Sequence, residues 1–210
     1  MEDICFALGL RPSAKQITAL LAYLDLLERW NATYNLSAVR DRSAMLTQHL
    51  SDCLAVVPAL QRHASSGRLL DVGSGGGLPG VVIAVLMPDY QVTCIDAVGK
   101  KMAFVRQVAG LLPLPNLKAE HRRVEDLRAP PYDVITSRAF ASLVDLVSLT
   151  RKHLAPAGVW MAMKGRVPHD EIAALPPTID MFHVEQVKVP GLDAQRSLVW
   201  MRARPGADLI

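Results

Sequence analysis

A glycine-rich run with acids on either side carries the clearest chemistry in this chain. Leu69-Leu70-Asp71-Val72-Gly73-Ser74-Gly75-Gly76-Gly77-Leu78-Pro79-Gly80 joins an apolar segment ending in an acid to a tight turn and a helix start. Glycines there let the backbone approach a ligand closely. The next helix turns its unpaired N–H groups toward the ligand's polar end. Pro79 suits a first helical turn, where a missing N–H costs little. A second apolar run reaches Asp96 about one βαβ step later, where a carboxylate is placed to accept both hydroxyls of a ribose. This pattern fits a large nucleotide-like cofactor lying across the edge of a parallel sheet, and it favours an enzyme over a binding module.

The glycine spacing alone does not choose the cofactor. A P-loop needs Lys-Ser/Thr after its last glycine, whereas Val81-Val82 follow Gly80. Gly75-x-Gly77-x-x-Gly80 satisfies the dinucleotide spacing, so an NAD-dependent oxidoreductase stays open at this point. Asp71 weighs against it, because a carboxylate repels a pyrophosphate in a partly buried site. S-adenosylmethionine carries an ammonium and a sulfonium, and tolerates acids. The competing reading of Asp71 is a loop cap that accepts backbone N–H groups. Asp96 has a similar competitor, an N-cap for the helix at Lys100, which Ala97-Val98-Gly99 makes less fitting. Val124 and Glu125, after a third predicted strand, supply an adenine wall and a polar contact.

These residues must be positioned by alternating elements. Short apolar runs at 68–72, 91–95, 117–121, 132–136 and 157–162 read as strands. Helical patterns fill 79–87, 100–111 and 142–154, giving an α/β fold with a mostly parallel sheet. Met181 to Val189 and Ser197 to Arg204, around Pro190-Gly191, read as a terminal antiparallel pair, for seven strands in all. Residues 1–65 read as a helical extension packed on a Rossmann-like domain at 66–210. Within the extension, Ser13 and Gln16 form a capping-box pattern ahead of Ile17, Leu20, Leu21, Leu24, Leu27 and Trp30. Asn31 to Asn35 breaks that pattern, and a further helix is predicted over Arg42 to Leu60.

Composition bounds the partners. Half of the 210 residues are hydrophobic, enough for a sizeable core, and the formal charge is a mild +3. That permits nucleic acid without requiring it. Basic residues gather between 100 and 128, where Lys100, Lys101, Arg106, Lys118, Arg122, Arg123 and Arg128 face only Glu120, Glu125 and Asp126. Cys5, Cys53 and Cys94 form neither a metal motif nor a disulfide framework, which fits free thiols in a reducing cytoplasm. The histidines show no ligand spacing, so no metal is expected. Glu2 and Asp3 argue against a signal peptide, and no apolar stretch is long enough for a membrane span.

The ordered combination of motifs resembles the RsmG (GidB) family of small-subunit ribosomal RNA guanine-N7 methyltransferases. It comprises Trp30-Asn31 with Tyr34-Asn35-Leu36, His49 through Leu54, Asp71 through Gly80, and Asp96 with Lys100-Lys101 and Phe104. It continues with Arg123 through Asp126, Ser137-Arg138-Ala139-Phe140 and Lys164-Gly165. The resemblance implies a class I S-adenosylmethionine-dependent fold with a helical extension. It implies methylation of one guanine in the 530 loop of 16S ribosomal RNA, as free rRNA or in the 30S subunit, by a monomer.

The resemblance and the reading of the residues together assign roles. Cofactor binding falls to Asp71, Gly73, Ser74, Gly75, Gly77, Leu78, Asp96, Val124, Glu125 and Arg138. Catalysis falls to Arg138, Arg123 and Lys164, and substrate contact to these three with Lys100, Phe140 and Arg196. Cys53 stands where many relatives have a serine, which removes any hydroxyl-specific role there. Guanine N7 has a lone pair and no hydrogen, so no general base is required. Arg138 is suited to guanine O6 or a phosphate, since donating to N7 would block the nucleophile. Phe140 has two readings, stacking on the base or packing in the core. A non-catalytic RNA-binding or ribosome-assembly role is the remaining alternative. His49 and Asp52 are expected to pin the helical extension to the core.

Overall fold

The computed structural model describes residues 1–139 and 141–204; Phe140 and its two readings lie outside the described residues. Among the described residues seven strands form one sheet in the order β3-β2-β1-β4-β5-β7-β6. They are β1 (Gly67–Val72), β2 (Tyr90–Asp96), β3 (Leu117–His121), β4 (Tyr132–Arg138), β5 (Leu154–Lys164), β6 (Ile179–Gln186) and β7 (Ser197–Ala203). β7 alone runs against the others, pairing antiparallel with both β5 and β6. That inserted antiparallel strand separates this sheet from the all-parallel dinucleotide order. Asp71 pairs in register with Cys94 on one side and Thr136 on the other. The carboxyl ends of β1, β2 and β4 therefore lie side by side.

Helices cover both faces. α1 (Glu2–Ala7), α2 (Ala14–Tyr34), α3 (Arg42–Met45), α4 (Asp52–Leu54) and α5 (Val57–His63) precede the sheet. α6 (Gly80–Leu86), α7 (Gly99–Leu111), α8 (Leu143–Thr150) and α9 (His169–Ala173) connect its strands. The Ser13/Gln16 capping box opens α2 as its pattern predicts, and Leu20, Tyr23, Leu24 and Leu27 form its buried face. These side chains join Val81, Phe104 and Val105 in one apolar cluster, so the first helices share a core with the sheet's cover. Tyr23 also donates its hydroxyl hydrogen to Gly76 O at 2.9 Å, which fixes α2 to the glycine loop.

Two expected boundaries shift for identifiable reasons. α2 continues through Asn31 to Tyr34, because the Asn31 amide is buried and ties down the chain beyond the helix. It donates to Val39 O at 2.8 Å and accepts from Ser37 N at 2.7 Å. The single helix expected over Arg42 to Leu60 is segmented: a π-helical turn, Leu46–Ser51, comes after α3, and Pro58 sits in the first turn of α5. Proline is tolerated there and not in a helix interior. Further on, α8 ends at Thr150, earlier than the pattern implied. A 3₁₀ turn leads into β5 at Leu154, and β6 ends at Gln186, short of 189.

Candidate cofactor and substrate site

β1 ends in the glycine loop, and the loop leads into α6 through a cis Leu78–Pro79 bond. Gly73 N and Ser74 N donate to Ile95 O at 2.9 and 3.2 Å, so the loop lies against the end of β2. Gly75 N donates to Asp96 Oδ2 at 3.1 Å, and Val98 N to Asp96 Oδ1 at 2.8 Å. Asp96 thus braces the loop while it lines a cavity. Lys101 Nζ approaches its Oδ2 at 3.6 Å.

Two adjoining cavities run along this edge. The first, of about 610 Å³, lies between the early helices and the loop. Gly73, Ser74, Gly75 and Leu78 line it, together with Ser37, Gln48, His49, Asp52, Arg138, Lys164 and Arg196. The second, of about 330 Å³, is lined by Val72, Ile95, Asp96, Arg122, Arg123, Val124 and Glu125. Gly73, Lys101 and Ala139 line both. The two together make one trough with a shared waist. Ala139 holds a left-handed φ of 52° directly after Arg138, a backbone state that costs a non-glycine residue energy and often marks a functional turn.

The trough separates residues that sequence reasoning grouped. Arg123 lies at the Asp96–Glu125 end, apart from Arg138, Lys164 and Arg196. Lys100 lines neither cavity. Its ammonium donates to Tyr34 O at 2.7 Å, where a cation complements the carboxyl end of α2. Gly77 is absent from both linings and instead packs inward against Val81 and Val105. Asp71, expected to face a cationic ligand directly or through water, is fully buried beneath the loop and lines neither cavity. Its Oδ2 accepts from Gly80 N at 2.8 Å, as the loop-cap reading had it. Its Oδ1 is buried with no hydrogen-bond partner among the described residues.

Burial pushes the Asp71 carboxyl up to about 7, with Gly80 N–H and the Arg138 charge pulling the other way. The ordinary value is 3.8, so the folded protein without ligand binds this proton more tightly than the unfolded chain does. Between about pH 4 and 7 the unliganded fold therefore loses stability as pH rises. A cation above the loop reverses the preference by favouring the carboxylate. Affinity for a cationic cofactor is thus expected to rise roughly three- to tenfold from pH 6 to 8. Titration calorimetry across that range checks this, with Asp71→Asn expected to flatten the curve. An equally steep curve in the variant would remove Asp71 as its source.

The first cavity is ringed by paired charges. Lys164 Nζ donates to both Glu171 oxygens, at 2.8 and 3.1 Å, and to Ala141 O at 3.2 Å. Glu171 also accepts from Leu143 N at 2.7 Å. Lys164 and Glu171 together hold Ala141 and the start of α8. Asp52, 4% exposed, accepts from Arg138 Nη1 at 3.4 Å and from Arg196 Nε at 2.7 Å. His49 Nε2 shares a 2.7 Å hydrogen bond with Ser37 Oγ. Burial and the Arg138 charge hold its imidazole below its usual range, toward the neutral form.

Sequence reasoning gave Gln48, Asp52 and Ser37 no place at the cavity. The arginine partners of Gln48 and Asp52 lie 86 to 144 residues away, too far for any spacing to show, while Ser37 reaches His49, 12 residues on. The trough suits S-adenosylmethionine. It is elongated and divided at the waist, with a ribose-competent carboxylate at one end and an orphaned buried carboxylate oxygen under the loop. Among the described residues no group of three or more His, Cys, Asp or Glu side chains could hold a metal ion, and no helix is long and apolar enough to cross a membrane.

Comparisons with known proteins agree with this geometry. Among solved structures, TrmN from Thermus thermophilus superposes with a TM-score of 0.58 at 21% identity, covering 76% of this chain and 53% of that one. A SAM-dependent methyltransferase from Aquifex aeolicus gives 0.57 at 13% identity, covering 75% and 92%. These likenesses establish the class I methyltransferase fold. The ribosomal RNA small subunit methyltransferase G of Leptothrix cholodnii is 64% identical over 200 residues, 94% of this chain and 92% of that protein. The protein of the same name from Bordetella avium is 50% identical over 209 residues, covering 98% and 93%. The family described as rRNA small subunit methyltransferase G matches residues 16–199, nearly the whole described chain. Matched in sequence over that span, this chain belongs to the rRNA small subunit methyltransferase G family.

Proposed function

We propose that the protein transfers a methyl group from S-adenosylmethionine to N7 of a guanine in the 530 loop of 16S ribosomal RNA. The observation that carries this reading is the divided trough, whose wider half opens onto Arg138 and Arg196. In this reading the adenosine end occupies the cavity of Asp96, Val124 and Glu125, and the amino-acid end lies over Gly73, Ser74 and Gly75. When bound, S-adenosylmethionine supplies an electrophilic methyl on a cationic sulfur. The chain's own residues then have to hold the base, align it and exclude water. None has to remove a proton, because N7 carries none. The ion-paired state of Asp52, Lys164 and the arginines accords with that. Arg138 and Arg196 hold the base edge or a flanking phosphate, Arg123 adds a contact at the adenosine end, and Lys164, with Glu171, holds Ala141 and the start of α8.

The helical extension at 1–65 and the transferase core at 66–210 each supply one wall of the first cavity in this reading. The substrate implies a cytoplasmic protein, and the three buried free cysteines suit that compartment. An NAD-dependent oxidoreductase is disfavoured by the antiparallel β7 and by the family. A non-catalytic assembly role is separated by experiment. Ribosomes from cells lacking the protein are incubated with it and S-adenosylmethionine, and 7-methylguanine is mapped by selective cleavage and primer extension. One new stop in the 530 loop is the expected result. No stop on either 30S subunits or free 16S rRNA would defeat the reading.

A further inference from the structure

We propose that Asp52 is a positioning residue, a buried carboxylate that aims Arg138 and Arg196 together into the first cavity. The inference rests on the proposed function for its catalytic readout, but the clamp itself stands on geometry. Three distant segments meet at this carboxylate. Arg138 lies 86 residues away and Arg196 lies 144 residues away. Asp52 is 4% exposed, whereas the two arginine side chains are 23% and 28% exposed and face the cavity. Each guanidinium is therefore held at one end and open at the other.

The remaining bonds have the same sense. Arg138 Nη1 also donates to Gln48 O at 3.1 Å. Gln48 belongs to the π turn, and such a turn inserts an extra residue and re-aims the local backbone. Arg196 Nη1 donates to Gln195 O at 2.9 Å. Nε and Nη2 of Arg138 and Nη2 of Arg196 have no partner among the described residues. These N–H groups are left for an oxygen-rich ligand, such as the O6 edge of a purine or a phosphodiester.

Charge explains why a carboxylate stands at 52. Two guanidiniums converging on one cavity repel each other, and a single anion between them offsets that repulsion and fixes their angle. The cluster keeps one net positive charge, which suits a nucleic-acid ligand. Anchoring the helices to the core needs no charge at this point. Leu50, Cys53 and Leu54 beside it are fully buried, and Ser51 Oγ donates separately to Pro190 O at 2.7 Å. A purely structural tie would be served at least as well by apolar residues in place of Asp52 and both arginines.

The test uses Asp52→Asn, which keeps the size and removes the charge. With 30S subunits and saturating S-adenosylmethionine, kcat/KM is expected to fall roughly 10- to 100-fold, the range for losing a group that orients a functional side chain. The cofactor Kd by calorimetry is expected to change less than about threefold. Because Asp52 acts through the arginines, its loss in an Arg138→Ala/Arg196→Ala background is expected to cost almost nothing more. Losses that multiply would overturn the proposal, as would a normal rate for Asp52→Asn. A second readout needs no activity. Nitrogen-15 spectra of arginine side chains are expected to show slowed Nε–H exchange at Arg196 and restricted rotation at Arg138, both lost in Asp52→Asn. Spectra unchanged by the substitution would overturn the clamp. If the unmodified protein transferred no methyl, the functional reading would fail while the spectra still decided the clamp.

Discussion

Arg138→Ala is expected to lower methyl transfer to 30S subunits by about 10²-fold while the cofactor Kd changes by less than about threefold, because the lost contribution is alignment. Transfer moves one positive charge from sulfur to the purine ring and creates no anion, so a guanidinium at this place is not neutralising developing charge. What it supplies is geometry. Arg138 lines only the wider half of the trough, next to Ala139 at the waist. Its Nη1 is committed to Gln48 O and Asp52. Arg138→Lys is expected to recover only part of the rate, since one ammonium cannot hold both partners and still present a planar fork to the substrate. The two assays belong at pH 8. Removing Arg138 also removes a charge that lowers the Asp71 carboxyl, and near neutrality that would weaken cofactor binding indirectly. Equal losses in transfer and in cofactor affinity would place Arg138 on the cofactor instead.

The glycine loop, Asp96 and the succession of strands along the chain were legible in the sequence because each is a local pattern. An apolar run, an acid and a turn occur within a dozen residues, and parallel crossovers leave few topologies. The site's other wall was not legible, because long-range ion pairs build it. Asp52 reads as one polar residue on a helix, and nothing near it announces Arg138 or Arg196. The same holds for Lys100. The resemblance gave Lys100 a substrate contact, yet it and Lys101 part company. Lys101 turns to the waist, and Lys100 to the end of α2. Arg123 was grouped with Arg138 because both come directly after strands or at their ends. However, β3 and β4 are separated in the sheet by β2 and β1, which puts the two arginines at opposite ends of the trough. The π turn was hidden for another reason. Its apolar spacing is close to that of an ordinary helix, and only the tertiary contacts of Gln48, Ser51 and Asp52 select it.

Gly80→Ala, where the loop enters α6, is expected to be a strongly damaging small substitution. An added Cβ would lie 2.5 Å from Cys94 Sγ and 2.9 Å from Asp71 Oδ2. Both neighbours are fully buried on strands of the sheet, so neither can swing away. Relief has to come from α6 lifting off β1 and β2, which also stretches the Gly80 N–H bond to Asp71. Overpacking of this kind costs about 1–3 kcal/mol, and a weakened buried hydrogen bond adds roughly 1 kcal/mol. For a chain of this size that corresponds to a fall in Tm of about 5–15 °C. Displacing the loop that forms the floor of the trough is expected to weaken S-adenosylmethionine binding by roughly tenfold or more, about 1.4 kcal/mol of lost contact. Gly76→Ala supplies the control. Its Cβ would meet Leu27 Cδ1 at 3.4 Å and Tyr23 Oη at 3.5 Å, ordinary contact distances, and its Tm is expected to stay within about 1 °C. Pairing Gly80→Ala with Cys94→Ala removes the nearer obstruction and leaves the carboxylate, so partial recovery of Tm and of cofactor affinity is expected. Equal melting temperatures for Gly80→Ala and Gly76→Ala would show that the loop tolerates the bulk, and that the close seating of α6 on the sheet is not what shapes the site.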